Sequence, residues 1–163
     1  MADTLKLTTV TASIAALTIT VTNARGSSVT LNIDDTSGLQ KRVKVNQQDC
    51  PLLMPRPDNF VSNLGFTRDT YGADAALKTM AYTLTYNFYY APIAQGVGLF
   101  EKYDEMVTAA AAILLHLATN TNLSGATDIL PESVPAFGAM ADAAGTLFHG
   151  CEIALRVTQF LET

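Results

Sequence analysis

Residues 80–90 constrain the fold most. Met80, Tyr82, Leu84, Tyr86, Phe88 and Tyr90 alternate with Ala81, Thr83, Thr85, Asn87 and Tyr89. Successive side chains of a strand point to opposite faces, so this period of two separates a large apolar set from a smaller, more polar one. The pattern predicts a strand in an antiparallel sheet with one core face and one wet face. Tyr89 falls on the wet side. It is a candidate interface anchor, because tyrosine is enriched at protein contacts. The C-terminal run repeats the alternation, with Cys151, Ile153, Leu155, Val157 and Leu161 against Glu152, Arg156, Thr158 and Glu162. A weaker strand is expected over 134–141, with Gly145 supplying the turn between them.

Two other stretches carry a helical period. Leu7, Val10, Ile14, Leu17 and Val21 recur at steps of three and four, which predicts a helix capped near Asp3 or Thr4 and ending at Asn23–Gly26. Leu99, Tyr103, Met106, Ala110, Ile113, Leu114 and Leu117 form the stripe of a longer helix over 99–119, with Glu101, Asp104 and Glu105 at its positive end. Val29–Ile33 and Val43–Val45 read as short extended pieces around the turn Asp34-Asp35-Thr36-Ser37-Gly38. Pro51, Pro55 and Pro57 exclude a central strand there and favour an edge path. Residues 60–71 read as an irregular loop that reaches a neighbour. The expected fold class is α+β: an antiparallel β-sheet with an N-terminal helix and a long central helix packed on one face.

With 163 residues, the chain fits one domain over 1–163. Hydrophobic residues make up 48% of it and charged residues 15%, the latter below the ~25% typical of globular domains. Sparse charge leaves neutral surface for protein partners. The net charge of −5, with Lys41, Arg42 and Lys44 as the only basic cluster, disfavours a protein that grips nucleic acid by its phosphates. The two cysteines, Cys50 and Cys151, form no CxxC pair; one disulfide between them is open, and two buried free thiols are the simpler reading. The first residues show no signal peptide, and the apolar run 107–118 is too short to span a bilayer, so a soluble protein is expected.

No catalytic or metal motif is legible. There is no P-loop, no GxSxG, no HExxH and no EF-hand loop, and Gly96-Val97-Gly98 lacks a third glycine. His149 and Cys151 stand two apart and could be drawn as base and nucleophile, but their parity makes burial the simpler account. His116 near a helix end suits the helix dipole. Asp34, Asp35, Asp69 and Asp74 sit near turns, where aspartate caps backbone. No enzyme, cofactor or metal ion is expected.

The order of elements resembles the tail terminators (tail-completion proteins) and neck proteins of long-tailed bacteriophages. The points of likeness are the segment Cys50–Pro57 followed by Phe60-Val61, the aromatic strand ending Tyr86-Asn87-Phe88-Tyr89-Tyr90, the helix over 99–119 and the closing run Phe148–Phe160. The resemblance implies a virion subunit, assembled in the host cytoplasm, that closes a homo-oligomeric ring, commonly a hexamer, on the tail tube. The ring would join tube and head-tail connector proteins and let DNA pass through an acidic lumen without specific binding. Under that resemblance Phe60 and Arg68, in the expected loop, and Asp34 and Asp35, in the turn, are interface candidates beside Tyr89. Two other classes stay open: a small-molecule-binding module with an apolar pocket, and an enzyme whose site carries no motif.

Overall fold

The computed structural model describes residues 7–37, 44–68, 78–93, 101–119, 122–124, 127–134 and 137–161. Its frame is the pair of long strands with alternating sequence. β6 (Lys78–Pro92) and β10 (Leu147–Leu161) run antiparallel along their whole length, with Leu155 opposite Leu84 and Cys151 opposite Phe88. Each is flanked on its outer side by two shorter strands in succession. β4 (Leu52–Pro55) and β5 (Val61–Arg68) follow one another along β6. β8 (Thr127–Ser133) and β9 (Phe137–Ala141) do the same along β10. β3 (Asn32–Ile33) adds parallel to β4, and β7 (Asn122–Ser124) antiparallel to β8. The eight strands make one mixed sheet, and β1 (Thr20–Thr22) and β2 (Ser28–Thr30) form a separate hairpin.

One sheet face carries the main core. Tyr82, Leu84, Tyr86, Phe88, Cys151, Ile153, Leu155 and Val157 pack there against Val10 and Ile14 of α1 (Leu7–Ala15) and Met106, Ala109, Ala110, Ile113 and Leu117 of α2 (Tyr103–Thr119). The hairpin closes over α2, held by Val21 in the core and by the Tyr90 hydroxyl, which donates to the Thr22 carbonyl at 3.1 Å.

The expectation of an α+β domain built around a long central helix is overturned. Of the described residues 50% are strand and 24% helix, and β3–β4 makes the sheet mixed. Four local readings account for the difference. The N-terminal helix stops at Ala15, because Ile19 and Val21 alternate with Thr18, Thr20 and Thr22, and β-branched residues favour a strand. Gly26 is left-handed, φ +82°, but it turns the β1–β2 hairpin and does not cap a helix. Leu52–Pro55 is a fully buried strand between β3 and β6, with prolines only at its ends and flanks. Residues 61–68 are no loop but strand β5. A register shift between Ser62 and Gly65, with Asn63 at φ 54°, breaks the alternation that would have revealed it. β8 also lay outside the sequence reading. The expected cap at Asp3 or Thr4, the Gly96-Val97-Gly98 turn, Leu99, Lys41, Arg42, Val43, Gly38, Asp69, Tyr71, Asp74 and Glu162 fall outside the described residues.

The second sheet face is not wet. Val45, Leu52, Met54, Tyr89 and Phe148 form a smaller cluster on it, with Cys50 and Met140 packed alongside. Thr83, Thr85 and Asn87 are buried there too, and the Thr83 hydroxyl donates to Glu132 at 2.8 Å. Asp142 ties this cluster to the β9–β10 turn. Its Oδ1 accepts from the N–H groups of Ala144 (3.0 Å) and Thr146 (2.8 Å), and its Oδ2 from the N–H of Val45 (3.1 Å). Hydrogen bonds to a charged group contribute roughly 1.5–3 kcal/mol each, and a buried donor left bare costs a similar amount. Asp142→Ala is therefore expected to lower unfolding stability by about 2–3 kcal/mol, with Asp142→Asn losing less. Urea unfolding of both variants checks this, and equal losses would contradict the charge-assisted account.

A candidate assembly surface

A strand that pairs on one side only presents a row of unpaired N–H and C=O groups. Among the described residues, β5 pairs with β6 alone and β9 with β10 alone. β5 is eight residues long and carries Val61, Leu64 and Phe66 in solvent, with Phe66 68% exposed. Burying a phenylalanine side chain stabilises by roughly 1.5–3 kcal/mol, so its exposure here forgoes that gain. β9 is the uncharged run Phe-Gly-Ala-Met-Ala, with Phe137 half in solvent and Leu147 exposed just across the turn. A third apolar patch joins α2 to β8. Leu114, Leu115 and Ala118 face Leu130, Pro131 and Val134 around a hollow of about 410 Å³, with Leu115 67% exposed.

The residues singled out from sequence are placed as follows. Tyr89 lies on the face opposite Phe88, as its parity requires, but it is only 3% exposed. Its ring meets Phe148 edge-on at 5.3 Å and its hydroxyl accepts from Asn87 Nδ2 at 3.2 Å. It is a packing residue of the second cluster, not the solvent-facing ring the alternation suggested. Phe60 is half-buried and stands edge-on to Tyr86 at 5.3 Å, just before β5. Arg68 closes β5 opposite Lys78. Asp34 prolongs the β3–β4 pairing, its N–H donating to the Leu53 carbonyl at 2.9 Å, and Asp35 accepts from the Ser37 hydroxyl at 2.7 Å. Phe60 and Arg68 thus bracket the open edge, while Asp34 and Asp35 follow β3. Leu64 and Phe66 escaped the sequence reading. The signal that could have found them is two large apolar residues in a stretch with little other core pattern.

A short turn anchors this edge. Between β4 and β5, Arg56 pairs with Glu152 of β10 at 3.2 Å and donates to the carbonyls of Asp58 (2.6 Å) and Asn59 (2.9 Å). The guanidinium fixes where β5 begins relative to the central strands.

His149 and Cys151 are both core residues. Burial, with Glu152 adding to it, pushes the Cys151 thiol up to about 12, the opposite of nucleophile activation. Burial lowers the His149 pKa below its ordinary 6.5, with Lys102 assisting and Glu101 and Glu105 opposing. Its Nε2 is buried without a hydrogen-bond partner. A histidine held neutral by burial binds fewer protons folded than unfolded. Its penalty is absent above the unfolded pKa and grows as pH falls through 6.5 toward the folded value. Between about pH 8 and about pH 5 the wild type is expected to lose more stability than His149→Gln, in paired urea titrations. Parallel losses would remove His149 as the source.

Among the described residues no group of three or more His, Cys, Asp and Glu could hold a metal ion, and no helix is long and apolar enough to cross a membrane. No family model matches the chain, and no curated protein is significantly similar to it.

Proposed function

We propose that this chain is a self-assembling virion subunit, a ring-forming tail terminator that caps the tail tube of a long-tailed phage and mediates head-tail joining. The observation that carries the reading is the open edge of β5 with Phe66 in solvent. Monomeric proteins blunt such edges with charge, proline, bulges or cover; among the described residues β5 has only its bulge at Ser62–Gly65 and the terminal Arg68, which suits a chain whose edge is filled by another. The exposed apolar patch of α2 and β8 adds a further contact for a tube or connector protein. The net charge of −5 per copy fits a lumen that repels DNA and lets it slide. The resemblance in element order supplies the identity of the particle, and the ring is taken as a homo-hexamer.

The mass of the purified protein by light scattering, across a concentration series, tests this. A ring-sized species, or one that grows with concentration, is expected. A monomer at every concentration, including with purified tail tubes present, would overturn the assembly reading.

A groove of about 440 Å³ between the β1–β2 hairpin and α2 favours a second reading, a small-molecule-binding module. It is lined by Val21, Tyr90, Ala109 and Ala112, with Asp104 and Glu105 at its rim. Native mass spectrometry that found a stoichiometric apolar ligand on a monomer would select that reading.

A further inference from the structure

The sheet has two margins, and they differ in how they are guarded. β5 lies on the outer side of β6, and β8 and β9 on the outer side of β10. β8 carries the usual edge protections: Pro131 has no N–H to offer, Asp128 and Glu132 bring charge, and β7 covers its first residues. Among the described residues β9 has none of these. It holds no charge and no proline, and along its exposed side Phe137 is followed by the small residues Ala139 and Ala141. β5 offers the converse, the large side chains Val61, Leu64 and Phe66 beside an open backbone edge.

We propose that neighbouring copies join through these two edges, β5 of one copy adding as a strand to β9 of the next. The inference rests on the self-assembly reading and names its contact. Strand direction permits it. β5, β6, β10 and β9 alternate in direction across the sheet, so a second copy in the same orientation brings β5 antiparallel to β9. The exposed apolar side chains of β5 are large, and on β9 the small Ala139 and Ala141 leave room beside Phe137. Beside β9, a hollow of about 330 Å³ lined by Phe137, Met140, Asn87 and Glu152 has room for an incoming side chain. β5 pairs with the 78–84 end of β6, and β9 with the 147–151 end of β10, so the two edges sit at diagonal corners of the sheet. Each added copy is therefore staggered along the strands, as shear staggers a closed barrel, and a head-to-tail contact of this kind makes a ring when its rotation closes and a filament when it does not. Pairing of β5 with β5 would make a two-fold dimer and leave β9 bare.

Disulfide trapping tests the contact. In a Cys50→Ser background, Thr67→Cys protein is mixed with Phe137→Cys, Ala139→Cys or Ala141→Cys protein and oxidised. Three partners cover the register, and Cys151 stays buried. A covalent dimer that forms only in the mixtures is expected, and a chain carrying both cysteines should give a ladder that ends at the ring. Cross-linking of Thr67→Cys protein alone, with no gain on mixing, would replace the proposal by a β5–β5 contact. No cross-link in a sample whose light scattering shows a ring would discard this contact and leave assembly standing. A monomer by light scattering at all concentrations, with or without tubes, would remove both.

Discussion

Gly150→Ala is expected to unfold the protein or leave it barely folded. Gly150 sits in β10 opposite Tyr89 of β6, next to a register shift between His149 and Gly150. A Cβ there would overlap the carbonyl oxygen of Phe88, and would also lie 3.1 Å from its carbonyl carbon and 3.3 Å from Met140 Sδ. The methionine can swing away, but the Phe88 carbonyl belongs to the central strand. Moving it separates β6 from β10 at the ladder that organises the whole sheet. Overpacking against side chains costs about 1–3 kcal/mol, and a collision with backbone belongs at or beyond the top of that range. Against a total stability of roughly 5–15 kcal/mol, a loss of about 3 kcal/mol or more is severe. Gly65→Ala is the control, because a Cβ on Gly65 meets nothing within 4 Å. Urea midpoints that coincide for the two variants would refute the close-approach account.

The same two strands show why part of the fold was legible and part was not. β6 and β10 each bury large side chains at every second position over many residues, so period two stands out. Parity gave the side on which each residue lies, including Tyr89. It could not say what covers that side, because Val45, Leu52, Met54 and Phe148 arrive from distant segments. The N-terminal helix was overread because Ile14, Leu17 and Val21 satisfy a helical step, while Ile19 and Val21 satisfy a strand. The alternation of buried Ile19 and Val21 with exposed Thr20 and Thr22 decided it. β4 hid behind its prolines, although Pro55 occupies the last strand position and Pro51 and Pro57 lie outside it. β5 hid behind its bulge, which puts Phe66 five positions after Val61 where their partners Leu84 and Met80 are four apart, and so reverses their parity. The candidate surface was missed with it. Edge strands that await a partner bury little within their own chain, and burial is what writes a pattern into sequence.

That surface makes the second large prediction. Leu64→Lys combined with Phe66→Lys is expected to abolish self-association while leaving the fold intact. Both side chains stand in solvent, at 49% and 68% exposure, so the isolated subunit gives up little by losing them. Exposed substitutions away from special features usually change stability by less than about 0.5 kcal/mol, which covers Phe66, while Leu64 sits in the bulge beside Asn63 and the urea control reads its cost. Lysine is also the residue that natural edge strands use to repel another strand. In a joined pair the same lysines would have to be buried or displaced, and a charge taken out of water without a partner costs several kcal/mol. Two such penalties at each contact are multiplied around a ring, so assembly should fail at concentrations where the wild type forms it. Light scattering reads the assembly and urea unfolding reads the fold. A double variant that still forms rings would place the contact elsewhere. One that both dissociates and unfolds easily would show that β5 is held by its own chain more tightly than its exposure implies.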